Sequence, residues 1–439
     1  MSGFRRIGVA LALLAAVAAT STVPLASADR GRGHHRSKQE VVGYFIEWGI
    51  YGRSYFVKNV ETSGSADKLT VINYAFANVA PASPTDPGVV CQLADPWADY
   101  QRPVSAEESV DGQVVDPSAP LHGNFQQLKA LKALHPKLKV SISLGGWTFS
   151  KYFSDAALTK ASRERFVSSC IDLFIKGNLP DAPGAAAGVF DGIDLDWEWP
   201  GSEGNAGNII RPEDKQNFTK LAREFRKQLD AYGKTTHKHY VLSAFLPADS
   251  GKIDAGFEVD KIFDSLDFGT VQGYDLHGTW EPTTNHQSNL FTSSGDPANP
   301  RYSVDKTVRA YLQRGAPRSD LVVGVPFYSR GWTGVGSADN GLYQSSTGPA
   351  PGVFEAGVND YKVVQALTGF TRYWDRRAGA AWLYDGTTFW TYDDPPVMEM
   401  KAQYVRRNRL GGIMFWELSG DTPEGDLIGA IADGLSGRD

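Results

Sequence analysis

Between Val41 and Trp416 the chain alternates short, nearly unbroken apolar runs with longer stretches that place apolar residues at three- and four-residue steps. The runs are Val41–Ile46, Thr70–Asn78, Lys139–Leu144, Gly192–Trp197, Tyr240–Leu246, Phe268–Tyr274, Val322–Phe327 and Gly412–Trp416. Segments so rich in Val, Ile, Leu and Phe suit strands covered on both faces, as in a parallel sheet flanked by helices. Helical periodicity marks Phe125–Leu134, Arg163–Lys176, Val304–Arg314 and Val397–Arg407. The clearest helix is expected from Pro212, through Glu213 and Asp214, to Gly233. Proline suits the first helical position, acids suit the first turn, and Phe218, Leu221, Phe225 and Leu229 make one apolar stripe. About eight strands alternating with helices predict an α/β fold of the (β/α)8 TIM-barrel type. No Gly-rich dinucleotide fingerprint opens a helix, which weakens the doubly wound alternative.

From Gly331 to about Tyr392 the rhythm breaks into a segment rich in Gly, Tyr, Trp and Thr, with a helix-like piece at Asn359–Leu367. It is too long for an ordinary loop, and a small α+β subdomain inserted after the seventh strand is expected at about 331–392.

The N-terminus reads as an export signal over residues 1–28. Arg5 and Arg6 begin it, Ile7 to Ala19 form its apolar stretch, and Ala26-Ser27-Ala28 is a cleavage site. A polar, basic, disordered tail is expected over 29–40, followed by the catalytic domain at 41–439. The apolar run is shorter than the roughly 20 residues a membrane span needs, so a secreted protein without a membrane partner is expected. A net charge of −6 with mixed signs argues against a nucleic-acid partner. Cys91 and Cys170 are the only cysteines, and they permit one disulfide or two buried thiols. His237 and His239 lack a third ligand, so neither a metal nor a cofactor is expected.

The chemistry is concentrated in Asp191-Gly192-Ile193-Asp194-Leu195-Asp196-Trp197-Glu198-Trp199-Pro200. Side chains on a strand alternate faces, so Asp194, Asp196 and Glu198 share one face while Ile193, Leu195 and Trp197 share the other. In a barrel the acids would line the interior toward the C-terminal rim, where barrel active sites sit. Acids roughly 6–7 Å apart along a strand cannot all ionise cheaply, so at least one is held protonated near neutrality, as a general acid must be. Asp191 faces away and is assigned to bracing the start of the strand.

Asp191, Asp194, Asp196 and Glu198 spell D-x-x-D-x-D-x-E, and on this motif the chain resembles glycoside hydrolase family 18, in particular its secreted bacterial chitinases. Ser143-Leu144-Gly145-Gly146 is similar to the family's S-x-G-G on the third strand. Gln272-Gly273-Tyr274-Asp275 stands where the family usually has M-x-Y-D on the sixth, with Gln272 replacing Met. Trp416 ends the eighth strand, where the family keeps a tryptophan under the bound sugar. Trp382-Leu383-Tyr384 and Tyr392-Asp393-Asp394-Pro395 resemble the α+β insertion of deep-cleft members.

The resemblance implies hydrolysis of β-1,4 links in chitin or N-acetylglucosamine oligomers, by a monomer. Glu198 would protonate the glycosidic oxygen. Asp196 would turn toward the substrate's acetamido N–H, and Asp194 would share a proton with it. Tyr274 would bond the acetamido carbonyl and Asp275 nearby hydroxyls. The substrate's own acetamido oxygen is expected to be the nucleophile, with Asp196 as the competing candidate. Trp416 would floor the cleft, with Tyr44 beneath and Trp147 and Trp280 as platforms. Gly145, Gly146, Trp199 and Gln272 would also line the substrate site. Arg330 would bond sugar or brace an acid. Rival readings are an endo-β-N-acetylglucosaminidase acting on glycans and a lectin of the same fold. The tryptophan-rich cleft argues against the first and Glu198 against the second.

Overall fold

A computed structural model describes residues 39–437. The expected signal sequence and nearly all of the expected tail lie outside these residues. Gln39 and Glu40, which the sequence reading places in the tail, belong to the fold. The Gln39 side chain donates to the Leu410 carbonyl at 3.2 Å, and Glu40 opens the first strand opposite Gly412.

Eight parallel strands close into a TIM barrel. They are β1 (Glu40–Ile46), β2 (Val71–Ser83), β3 (Lys139–Gly145), β4 (Gly192–Asp196), β5 (Val241–Leu246), β6 (Phe268–Val271), β7 (Leu321–Pro326) and β8 (Gly412–Trp416). β1 closes the ring by pairing with both β2 and β8. Each expected run corresponds to one strand, and the last, Gly412–Trp416, keeps both its ends while the others shift. β4 stops at Asp196 and β6 at Val271 because the chain leaves the ladder at the rim to form the site. β2 runs on to Ser83 because it folds into a hairpin with the antiparallel strand Asp86–Leu93. A disulfide joins Cys91 of that strand to Cys170 at the end of helix Lys160–Cys170.

The alternation on β4 sorts side chains between two cores. Ile193, Leu195 and Trp197 pack outward among the helices, with Trp197 stacked 5.4 Å from Phe153. The stripe Phe218, Leu221, Phe225 and Leu229 is buried against them. Each such side chain contributes about 1.5–3 kcal/mol by leaving water. Their helix spans Asp214–Thr236 rather than starting at Pro212 and stopping at Gly233. Asp214 anchors its start by accepting from Ser154 Oγ at 2.6 Å and from the Arg211 N–H at 2.8 Å. The residue that ends it is His237, which takes the left-handed conformation. Gly233 stays helical, and its missing Cβ leaves room for the Lys238 carbonyl.

Between β7 and β8 the chain builds a second, antiparallel sheet. Its order is Gly348–Pro349, Tyr328–Thr333, Thr388–Tyr392, Ala380–Tyr384, Thr371–Asp375, with Val358–Asp360 also paired to Tyr328–Thr333. Trp332, Trp382, Tyr384 and Phe389 form its own small core. The expected helix at Asn359–Leu367 shrinks to Tyr361–Val364, because Asn359 and Asp360 are spent on the sheet. Among the described residues no helix is long and apolar enough to cross a membrane.

Candidate active site

The C-terminal ends of the barrel strands open on a cleft of about 1140 Å³ that contains Asp196, Glu198, Tyr274, Trp416 and the edge of the second sheet. The acids descend from it in order. Glu198 is half-buried at the rim, Asp196 is 4% exposed, and Asp194 is fully buried.

Asp194 is held by hydroxyls from β1, across the barrel, and from its two neighbours β3 and β5. Tyr44 Oη and Ser143 Oγ donate to Oδ2 at 2.8 Å each, and Ser243 Oγ donates to Oδ1 at 2.6 Å. Burial raises its pKa and these three bonds oppose the rise. Asp196 has no such support, and its Oδ1 is buried without a hydrogen-bond partner. Burial, then the charges of Glu198 and Asp194, hold its carboxyl well above the usual carboxylate range. Between Asp194 and Asp196 the interaction is one of charge, which adds to the rise at Asp196. Burial and then Asp275 push Glu198 up to about 8, while the Lys252 ammonium pulls it down.

The backbone of the acid is clamped by residues the sequence reading missed. Ser150 Oγ accepts the Glu198 N–H at 2.9 Å and lies 3.1 Å from the Asp196 carbonyl, to which it donates. Asn208 Nδ2 donates to the Glu198 carbonyl at 2.9 Å. Gly145 and Gly146 turn β3 away from the site with φ of +100° and +65°. A Cβ on Gly145 would strike the Phe153 ring and the Asp196 carbonyl, and one on Gly146 would strike the Phe76 ring. Asp191 lies outside this group, where it accepts the Val140 N–H at 3.0 Å and pairs with Lys132 at 2.6 Å.

Tyr274 is buried, stacked 6.1 Å from Phe245, and its hydroxyl pKa is raised well above 10 by burial and by Asp196 and Glu198. Asp275 adopts φ +52° and receives a fork from Arg330, with Nε and Nη2 each 2.9 Å from a carboxylate oxygen. Of the two roles open to Arg330, the structure has it bracing this acid. Gln272 lines the cleft and accepts the Ala248 N–H at 3.1 Å through its amide oxygen.

Trp416 stacks on Phe76 at 5.6 Å, with Tyr44 at 5.2 Å and Trp48 at 6.4 Å, and the four rings form one aromatic wall. Trp48 and Phe76 were not singled out from sequence. An aromatic just past a strand end, as Trp48 follows β1, was the available signal. Trp147 and Trp280 present 51% and 59% of their surface at the mouth. Trp199 is only 4% exposed, packs on Phe245 at 5.5 Å and lies under the Lys252 ammonium. Among the described residues no three His, Cys, Asp or Glu side chains are gathered as metal ligands.

A partly buried carboxyl with a raised pKa beside a second buried acid, over an aromatic floor, suits proton donation to the oxygen of a bound sugar. The model of the glycosyl hydrolases family 18 matches residues 40–421. The structure is similar to the catalytic domain of psychrophilic chitinase B from Arthrobacter TAD20, with TM-score 0.86 and 46% identity over 91% of this chain and 96% of that one. Chitinase C of Streptomyces lividans is 39% identical over 88% of this chain, and chitinase A1 of Niallia circulans 37% over 87%. The chain spans only 58% and 56% of the length of these two curated relatives. The matched model covers nearly all of the described fold, and the chain belongs to glycoside hydrolase family 18.

Proposed function

We propose that the protein is a chitinase that hydrolyses β-1,4 links between N-acetylglucosamine units, with retention of configuration and with Glu198 as proton donor. The observation that carries this reading is the descending acid series, in which Asp194 is fixed by three hydroxyls while Asp196 and Glu198 face the cleft with raised pKa values. The names of the similar proteins support the substrate class, and the apolar N-terminal stretch followed by Ala26-Ser27-Ala28 supports export.

In this mechanism the sugar on the non-reducing side of the cut sits over Trp416. Glu198 gives its proton to the glycosidic oxygen, and the bond from that oxygen to the anomeric carbon breaks. The acetamido oxygen of the same sugar bonds to the anomeric carbon, closing a cationic five-membered ring. Asp196, with an oxygen left free by the surrounding protein, accepts the acetamido N–H and stabilises the cation. Tyr274 orients the acetamido group. Water then opens the ring at the anomeric carbon and returns a proton to Glu198. Asp194, fixed by three hydroxyls, cannot turn aside, and its bulk leaves Asp196 one direction in which to find a partner.

Digestion of partly deacetylated chitosan tests this. A unit with a free amine cannot supply the nucleophile, so every newly formed reducing end is expected to carry an N-acetyl group. Substantial glucosamine at that end overturns the mechanism and favours Asp196 as the attacking group.

A further inference from the structure

Lys252 belongs to none of the groups assigned so far. It lies in the short helix Ser250–Gly256 that follows β5, next to the strand that carries Glu198. β8, with Trp416, is four strands from β4 in either direction around the ring. A sugar over Trp416 whose scissile oxygen reaches Glu198 therefore sends the leaving chain past β4, toward the side where Lys252 lines the cleft.

The ammonium there is held but unspent. It sits 5.3 Å from the centre of the Trp199 ring, and among the described residues it forms no ion pair or hydrogen bond. The contact fixes it, since swinging the side chain away would uncover a buried indole and lose the cation–π attraction. Burial lowers its pKa, and the charges of Glu198, Asp249 and Glu203 oppose this and favour the ammonium. Asp249 is engaged by the Tyr302 hydroxyl at 2.5 Å and by the Lys252 backbone N–H at 2.9 Å, and Glu203 is exposed to solvent.

We propose that Lys252 determines specificity on the leaving-group side of the scissile bond: its fixed ammonium admits an uncharged N-acetylglucosamine unit there and penalises a protonated glucosamine. The inference rests on the chitinase reading, which places the acid between Trp416 and Lys252. It concerns the opposite end of the cut from the acetamido nucleophile. Two unit charges about 6 Å apart at a solvated rim discriminate by roughly 3- to 10-fold. Above the titration of the sugar amine the penalty vanishes.

The test is the composition of newly formed non-reducing ends when partly deacetylated chitosan is digested at acidic pH by the wild type and by Lys252→Gln, Lys252→Glu and Lys252→Arg. The wild type is expected to leave few glucosamine units at those ends. Lys252→Gln should raise their share roughly 3- to 10-fold, and Lys252→Glu further. Lys252→Arg, which keeps the charge, should preserve the wild-type pattern, as a merely structural role would not require. Unchanged non-reducing ends in both Lys252→Gln and Lys252→Glu overturn the inference, whatever their overall rates. The reducing ends of the same digests report on the mechanism separately. An enzyme that cuts no N-acetylglucosamine polymer overturns both readings together.

Discussion

At Glu198 three influences meet on one carboxyl. Burial and the charge of Asp275 hold its proton on, with a pKa of about 8, and Lys252 works against them. The protonated form is the competent one, so kcat/KM is expected to be sustained through neutrality and to fall as pH rises through about 8. The neighbours should move this alkaline limb in opposite directions. Lys252→Gln removes a positive charge and shifts it to higher pH; Asp275→Asn removes the negative charge that raises Glu198 and shifts it to lower pH. A pH–rate profile in which both limbs stay put would show that the groups do not interact. Glu198→Gln keeps the shape without the transferable proton, and turnover should fall about 10²- to 10⁴-fold while oligosaccharide binding persists. Near-normal turnover in that variant removes Glu198 from the mechanism.

Among the secondary-structure elements, the hairpin of β2 with Asp86–Leu93 lies outside the alternating pattern. It is secured to helix Lys160–Cys170 by the Cys91–Cys170 disulfide, whose Cα atoms are 4.9 Å apart, and by the Cys91 N–H bonded to Ser169 Oγ at 2.9 Å. The bridge closes a loop with a sequence separation of 79, for which loop entropy predicts a stabilisation of about 4 kcal/mol. Chemical denaturation of the Cys91→Ser/Cys170→Ser variant should show a loss of that order. An unchanged midpoint would mean that the hairpin's packing alone keeps it in place.

At the scale of the whole molecule, the second sheet shares the cleft with the barrel rim, since Tyr328, Arg330 and Val358 line the same cavity as Glu198. One buried ion pair lies where that sheet returns to the barrel. Lys401, on helix Pro395–Arg407, meets Asp393 just past strand Thr388–Tyr392, both essentially without solvent contact. Ser288 Oγ completes the site with a 2.7 Å bond to Asp393. Removing one partner strands the other charge in the core. Lys401→Met is therefore expected to cost about 3–5 kcal/mol in unfolding free energy, and the double replacement Lys401→Met/Asp393→Leu much less. Equal losses in the single and double variants would show that the two charges are not coupled.

What was legible in the sequence is what depends on near neighbours along the chain. The period-two alternation of β4 set Ile193, Leu195 and Trp197 against the helices and turned Asp194 and Asp196 inward, because successive side chains on a strand must point apart. The helical stripe from Phe218 to Leu229 was readable for the same local reason. Tertiary structure alone decided who meets whom across the barrel. Ser243 reaches Asp194 because β5 sits beside β4 in that register, although a lone serine in the apolar Val241–Leu246 run was a faint clue. Ser150, on a short helical turn after β3, and Asn208, on a loop, reach the Glu198 backbone along paths that no periodicity encodes. Trp199 and Lys252 show the same limit. Sequence placed the tryptophan next to the acid, but packing on Phe245 turned its ring under an ammonium 53 residues along the chain, because a side chain's environment is set by the strands that flank it and not by the residues that precede it.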